Sequence, residues 1–206
     1  MVGYHKIIEH YENCLALHGD NFRGVDWTNE ADTFKRFEVM LGVIREKPEP
    51  VTLLDFGCGA SHIYEYILRN NLTFIDYSGL EISEKFFELS KSKFPSVNYY
   101  HLDIIESSDE LPIFDYVVMN GVLTEKRELS FDEMWKYTQE LLVQVFSKCR
   151  KGIAFNVMAK AVDWEREDLF HLPMDILADF LTKKLSRNFI IRNDYGLYEY
   201  TTYVYR

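Results

Sequence analysis

Val51-Thr-Leu-Leu-Asp-Phe-Gly-Cys-Gly-Ala-Ser-His62 is the stretch on which the reading of this chain turns. The run Val51 to Phe56 suits a buried parallel strand. Gly57 and Gly59, separated by Cys58, permit backbone angles and close approaches that a side chain would block. A helix-like stretch follows. A ligand can therefore lie against the backbone at the carboxyl end of this strand, where open α/β sheets usually bind ligands. Two alternatives stay open from this segment alone: a tight strand-to-helix turn without a ligand, and a nucleotide site of another kind. The dinucleotide fingerprint G-x-G-x-x-G is incomplete, because His62 stands where the third glycine belongs. Asp55, two residues before the first glycine, fits a cationic ligand better than a dianionic one.

Outward from that strand the chain alternates β and α. The expected elements are a helix near 61–70, strand 76–81, and helix 83–93 with Ser83 as N-cap. Strand 97–101, strand 114–119 and helix 130–149 follow, the last opened by a Ser130/Glu133 capping box. Strand 152–158 leads through a long connection to helix 173–185. Segments 188–193 and 197–205 flank Asp194-Tyr195-Gly196 and read as an antiparallel pair. On the final strand Tyr198, Tyr200, Thr202 and Val204 share one face, with Glu199, Thr201, Tyr203 and Tyr205 on the other. The alternation predicts a doubly wound α/β sheet with right-handed crossovers. Upstream, residues 4–18 form an amphipathic helix stopped by Gly19. Thr28 is a candidate N-cap for a second helix carrying Phe34, Phe37, Met40, Leu41 and Ile44. Glu46-Lys-Pro-Glu-Pro50 is the clearest break. The expected organisation is a single domain over 1–206, with a helical cap (1–48) and a sheet core (49–206).

The 206 residues are 47% hydrophobic with a net charge of −10, which supports one globular domain. No apolar run approaches the roughly 20 residues of a membrane helix, and Met1 to Glu12 does not look like a secretory signal. Cys14, Cys58 and Cys149 lie far apart without C-x-x-C spacing, so neither a metal site nor a disulfide framework is expected, and a cytoplasmic location fits. The short basic clusters Lys148/Arg150/Lys151 and Lys183/Lys184/Arg187 fall at predicted helix ends, where cations suit the helix dipole. A nucleic-acid partner is therefore not expected.

Glu81 closes the second strand about 20 residues past the glycine turn, a position from which a carboxylate can accept from both ribose hydroxyls of a nucleoside. An exposed carboxylate near a helix start is the alternative. Two further spots are His101-Leu-Asp-Ile104, where an acidic residue follows the third strand, and Phe114 to Thr124, where a strand ends at Asn120-Gly121. Asp commonly begins turns, and Asn120 could simply cap the next segment.

These four elements, in this order, resemble the motifs of class I S-adenosylmethionine-dependent methyltransferases over residues 50 to 160. The resemblance implies a Rossmann-like sheet of seven strands with the last antiparallel, and N-terminal helices forming a lid. It implies that Asp55, Gly57, Cys58, Gly59, Glu81 and Ile82 hold S-adenosyl-L-methionine. Asp103 would accept from the adenine amino group and Ile104 would cover the ring. Asn120 and Gly121 would meet the methionine portion and the acceptor, with Trp27 and Arg36 as further contacts. The flanks, Gly24-Val-Asp-Trp27 with Arg36-Phe37 and Asp194-Tyr-Gly-Leu-Tyr-Glu-Tyr200, look like a poorly characterised bacterial branch often associated with surface-polysaccharide gene sets.

Methyl transfer is a direct displacement that needs an in-line nucleophile and, for a hydroxyl, removal of a proton. Candidate bases are His62, His171, Asp163, Glu165 and Glu199, with His171 preferred because its loop is expected to face the acceptor. The alternative for His171 is a solvated loop histidine, and Trp164 either stacks on a sugar or anchors its loop. The expectation is O-methylation of a small polar acceptor, a sugar or surface-polysaccharide precursor or substituent, with an anionic one to be held by Arg36. Alternatives are an amine or carboxylate acceptor, a cofactor-binding partner subunit without catalysis, and an NAD-linked oxidoreductase.

Overall fold

The computed structural model describes residues 4–45 and 49–206. The break expected at 46–50 therefore lies in part, at residues 46–48, outside the described residues. Helix α1 spans His5–His18 and ends at Gly19, whose left-handed φ of 73° lets its N–H reach back to Leu15. A 3₁₀ turn over Phe22–Val25 leads to α2, Glu30–Leu41. The N-cap of α2 is Asn29 rather than Thr28: its side-chain oxygen accepts from the Asp32 N–H at 2.8 Å. Ile44 falls beyond the helix yet is buried with it.

The remaining elements are β1 Val51–Phe56, α3 His62–Arg69, β2 Ile75–Leu80, α4 Glu84–Lys93 and β3 Asn98–Tyr100. They continue as α5 Ile104–Ser107, β4 Phe114–Met119, α6 Phe131–Ser147 and β5 Cys149–Ala159. Last come β6 His171–Leu172, α7 Met174–Phe180, β7 Phe189–Arg192 and β8 Glu199–Tyr205. The capping box of α6 is formed by Ser130 and Glu133.

The strands form one sheet in the order β3-β2-β1-β4-β5-β8-β7. The pairs from β3 through β5 are parallel, while β8 runs antiparallel between β5 and β7. Among the described residues the sheet has eight strands rather than the expected seven, because the two-residue β6 pairs with the end of β5 beside this path. Alternating strand residues feed two cores. Leu54, Val117, Ile153 and Phe155 pack with α5, α6 and α7; Leu53, Tyr116, Val118 and Ala154 pack with α2 and α3. Helix α2, expected in a cap, is thus built into the second core through Phe37, Met40 and Leu41. The strand order changes direction between β1 and β4, which opens a crevice at the carboxyl ends of these strands.

Candidate active site

The glycine turn is built by backbone. The N–H groups of Gly57 and Cys58 both donate to the Leu80 carbonyl, at 2.8 and 3.0 Å, so the end of β1 curls over the end of β2. Gly57 (φ 69°) and Gly59 (φ 52°) adopt left-handed angles, and a Cβ on Gly57 would stand 2.7 Å from Val122. Ser61 is also left-handed and is held there by Ser90 and Tyr99, each 2.9 Å from its hydroxyl.

Three carboxylates face the crevice from the ends of successive strands. Asp55 is 2% exposed, and Tyr77 donates to its Oδ2 at 2.9 Å. Burial raises its pKa to about 7; the Tyr77 bond opposes this and the nearby Glu81 charge adds to it. Glu81 accepts from Ser83 N–H at 2.9 Å on one oxygen and from Gly59 N–H at 2.8 Å on the other. It therefore braces the glycine turn, and each oxygen keeps a second lone pair for a ligand. Burial still raises its pKa, in spite of these donors. Asp103 caps α5 through the Ile105 N–H, at 2.9 Å, while its other oxygen accepts from the Tyr4 hydroxyl.

Burial, together with Glu81 and Asp55, also pushes the Cys58 thiol well up. The inner wall thus concentrates groups that gain from a nearby cation. The described residues lining the crevice include no lysine or arginine. Asn120 supplies a further acceptor, since its Oδ1 is buried without a partner.

Helix α1 lines the crevice through Ile7, Ile8 and Tyr11, with Tyr4 at its N-cap, and is bonded to residues at the strand ends. Tyr4 reaches Asp103, Tyr11 donates to the Gly121 carbonyl at 3.2 Å, and the Ser83 hydroxyl donates to Glu12 at 2.7 Å. Tyr4 also stacks on Tyr137, with ring centroids 5.0 Å apart. Trp27 lines the same space and abuts Gly121, where a Cβ would meet its ring at 2.9 Å. His62, at the start of α3, also lines the crevice, with Nε2 2.8 Å from Asp20.

Of the cofactor residues expected from sequence, Asp55, Gly57, Cys58, Gly59, Glu81, Ile82, Asp103, Ile104, Asn120, Gly121 and Trp27 all line this one crevice. Arg36 does not. It lies behind Trp27, 4.1 Å over the indole, with Nε donating to Glu199 at 2.9 Å. Glu199 is 1% exposed and its other oxygen accepts from Asn156, which in turn accepts from the Gly121 N–H. Arg36 Nε and both Glu199 oxygens are thus engaged in positioning the Trp27–Gly121 wall, while Arg36 Nη1 is buried without a hydrogen-bond partner.

His171 is also displaced from the expected place. It sits on β6, buried outside the lining, with Nδ1 2.7 Å from the Ala159 carbonyl and Nε2 accepting from the Arg166 N–H at 3.3 Å. Both ring nitrogens serve the main chain, so the ring pins the β5–α7 connection and has no lone pair left for a substrate proton. Trp164 is 70% exposed, Asp163 is exposed, and Glu165 pairs with Lys160 at 2.6 Å. Trp27 therefore lines the crevice, whereas His171 and its loop do not, against the expectation that this loop faces the acceptor. Sequence reading missed Tyr4, Tyr11 and Tyr137 in the lining; the helical spacing of Tyr4, Ile7, Ile8 and Tyr11 was the available signal.

Residues 54–151 match the family model described as a methyltransferase domain, and this segment carries all of the crevice's glycine and carboxylate residues. A protein of Mycobacterium tuberculosis, provisionally named methyltransferase Rv1506c, is 25% identical over 159 residues, 76% of this chain and 93% of its own. Among solved structures, magnesium protoporphyrin IX methyltransferase of Synechocystis PCC 6803 with bound SAM superposes with a TM-score of 0.66. It is 13% identical, over 98% of this chain and 96% of that one. The plantazolicin methyltransferase BpumL, with SAH and a substrate analogue, gives a TM-score of 0.61 at 16% identity, over 98% and 90% of the two chains. These likenesses establish the fold: Rossmann-like α/β, with an antiparallel carboxyl-terminal strand.

Proposed function

We propose that this S-adenosylmethionine-dependent methyltransferase methylates an oxygen of a small, uncharged polar acceptor lying between Trp27 and the glycine turn. The observation that carries the reading is the set Asp55, Glu81 and Asp103, at the ends of three neighbouring strands, in a crevice without lysine or arginine among its described lining residues. Such a wall suits a ligand that is cationic at one end and carries a nucleoside at the other. It suits a dinucleotide pyrophosphate poorly. The missing third glycine agrees.

The residues present fit the cofactor. Asp55 and the orphaned Asn120 Oδ1 would take the methionine ammonium, Glu81 the ribose hydroxyls, and Asp103 with Ile104 the adenine. When bound, the cofactor supplies a sulfonium-activated methyl group. Tyr11, Trp27 and Val122 flank Gly121 and give the acceptor a largely apolar surface that excludes water. Helix α1, tied across the mouth, acts as the lid. A sugar hydroxyl meets these conditions, because the apolar face of a sugar ring packs on an indole. Arg36 lies outside the crevice lining with its Nε on Glu199, so the reading takes an uncharged acceptor over an anionic one. A carboxylate acceptor is less favoured, since the described lining residues include no lysine or arginine. The surface-polysaccharide setting rests on the flanking sequence resemblance alone.

The proton of the acceptor hydroxyl goes to His62. Asp20 is 2.8 Å from its Nε2 and orients the ring. Partial burial raises the Asp20 pKa, but Lys93 and His62 bring it net below the usual range, so it stays ionised. This gives a base with an orienting carboxylate, as general base catalysis requires.

Two measurements test the reading. Calorimetry should show binding of S-adenosylhomocysteine and little of NAD; preferential NAD binding would overturn the cofactor assignment. Once an acceptor is found by screening sugars with radiolabelled cofactor, His62→Gln should lower kcat about 10²–10⁴-fold while cofactor affinity holds. An unchanged kcat would remove His62 from the chemistry.

A further inference from the structure

We propose a divalent transition-metal site, of the zinc type, formed by His10, Cys14 and Asp26 on the outer side of the helix that covers the crevice. His10 and Cys14 are one turn apart on α1 and so present their side chains on one face. Asp26 is brought to them by the 3₁₀ turn Phe22–Val25, which folds back on α1. That return depends on Gly24: a Cβ there would lie 2.0 Å from the Gly19 carbonyl oxygen, so only glycine permits the approach.

The distances suit a shared ion. His10 Nε2 stands 2.8 Å from an Asp26 oxygen and 3.8 Å from Cys14 Sγ, and the three ligand atoms lie within 4.8 Å of one another. Ordinary zinc bond lengths in a tetrahedron require edges of about 3.6 Å for S···N and about 3.3 Å for N···O. Small side-chain rotations reach these values. The donor set is one imidazole, one thiolate and one carboxylate. It favours zinc or cobalt over magnesium or calcium, which prefer all-oxygen shells. Three protein ligands leave a fourth position for water or another donor.

The surroundings carry both signs, with Lys6, Lys126 and Arg127 beside Glu9, Glu128, Glu167 and Asp168, and they let an ion in. Glu125, 5% exposed, lies close enough to interact electrostatically with both Asp26 and His10. A solvent-open cavity bordered by Glu9, His10, Asn13, Arg127 and Asp168 provides an entry path. The residues that follow two of the ligands, Tyr11 and Trp27, line the crevice. An ion at this point would therefore clamp α1 to the turn that carries Trp27.

The experiment uses tag-free, full-length protein titrated with Co²⁺ and followed by absorption. The expected result is one ion per chain, with a thiolate-to-cobalt charge-transfer band that Zn²⁺ displaces. Cys14→Ala should abolish the band, and Asp26→Asn should weaken binding roughly tenfold or more. Cys149→Ala, whose thiol is buried elsewhere, should leave both unchanged. Circular dichroism confirms that each variant is folded. No saturable band in the wild type, or a band that survives Cys14→Ala, overturns the proposal and leaves His10 and Asp26 as a simple hydrogen-bonded pair.

Discussion

The Nε of Arg36 donates to Glu199 at 2.9 Å and so joins α2 to β8 across 163 residues of chain. The side chains are 11% and 1% exposed, which makes this a largely desolvated pair. Removing one partner strands the other charge. We expect Arg36→Leu to cost about 3–5 kcal/mol of stability, read as a lowered denaturant midpoint. The double variant Arg36→Leu/Glu199→Gln should recover part of that loss. Equal destabilisation by the single and double variants would show that the pair carries no coupling.

On the proposed reading, Asp55 should make cofactor affinity depend on pH. Its pKa, raised by burial to about 7, leaves it partly protonated near neutrality without ligand. A cationic ligand needs the carboxylate, so binding releases a proton below that value. Affinity should rise as pH goes from 6 to 8 and then level. The stability of the ligand-free protein should move oppositely. Its raised-pKa contribution is complete below the unfolded value of 3.8 and is lost as pH climbs through about 7. Calorimetry and thermal melts on Asp55→Asn should show both slopes flattened; persistence of the affinity slope would point to another group.

Glu81 braces the glycine turn and, on the proposed reading, also holds the cofactor. In Glu81→Gln a single acceptor oxygen remains, so the N–H of Gly59 or of Ser83 loses its partner. We expect about 1.5–3 kcal/mol weaker cofactor binding and faster hydrogen exchange at the Gly59 amide. Weakened binding with unchanged exchange would restrict Glu81 to ligand contact.

Tyr4 occupies part of the acceptor capacity of Asp103 that the adenine amino group would use. Tyr4→Phe removes that competitor and keeps the stacking on Tyr137. Cofactor affinity should tighten by roughly 1 kcal/mol, the worth of one hydrogen bond. Weaker binding would mean that the hydroxyl helps the closed form hold its ligand.

The strands were legible where apolar runs meet glycine, proline or acidic stops: β1 and β4 have the bounds expected for them. The two-residue β6 was not, because it carries no periodicity and exists only through its pairing with β5. Thr28 and Asn29 are both good caps, and only the Asp32 N–H decides between them. Within the site, contacts local to the strand ends could be read from Asp55, Glu81 and Asp103. Arg36 and His171 could not. Their partners, Glu199 and the Ala159 carbonyl, are set by the tertiary path of the chain. A search for paired cysteines likewise passes over His10 and Cys14, whose relation is one helical turn.

The place of β8 has a consequence for synthesis. This strand fills the gap between β5 and β7, making seven residue pairs with β5. As the chain leaves the ribosome, every strand from β1 to β5 is available before residues 199–205 appear. Until then β5 shows a bare hydrogen-bonding edge, open to pairing with other chains. The nascent Arg36 waits equally long for its carboxylate. Closure of the sheet and fixing of the Trp27 wall are therefore late, shared events, and a stalled chain lacking β8 should be prone to aggregate even with its glycine turn already made.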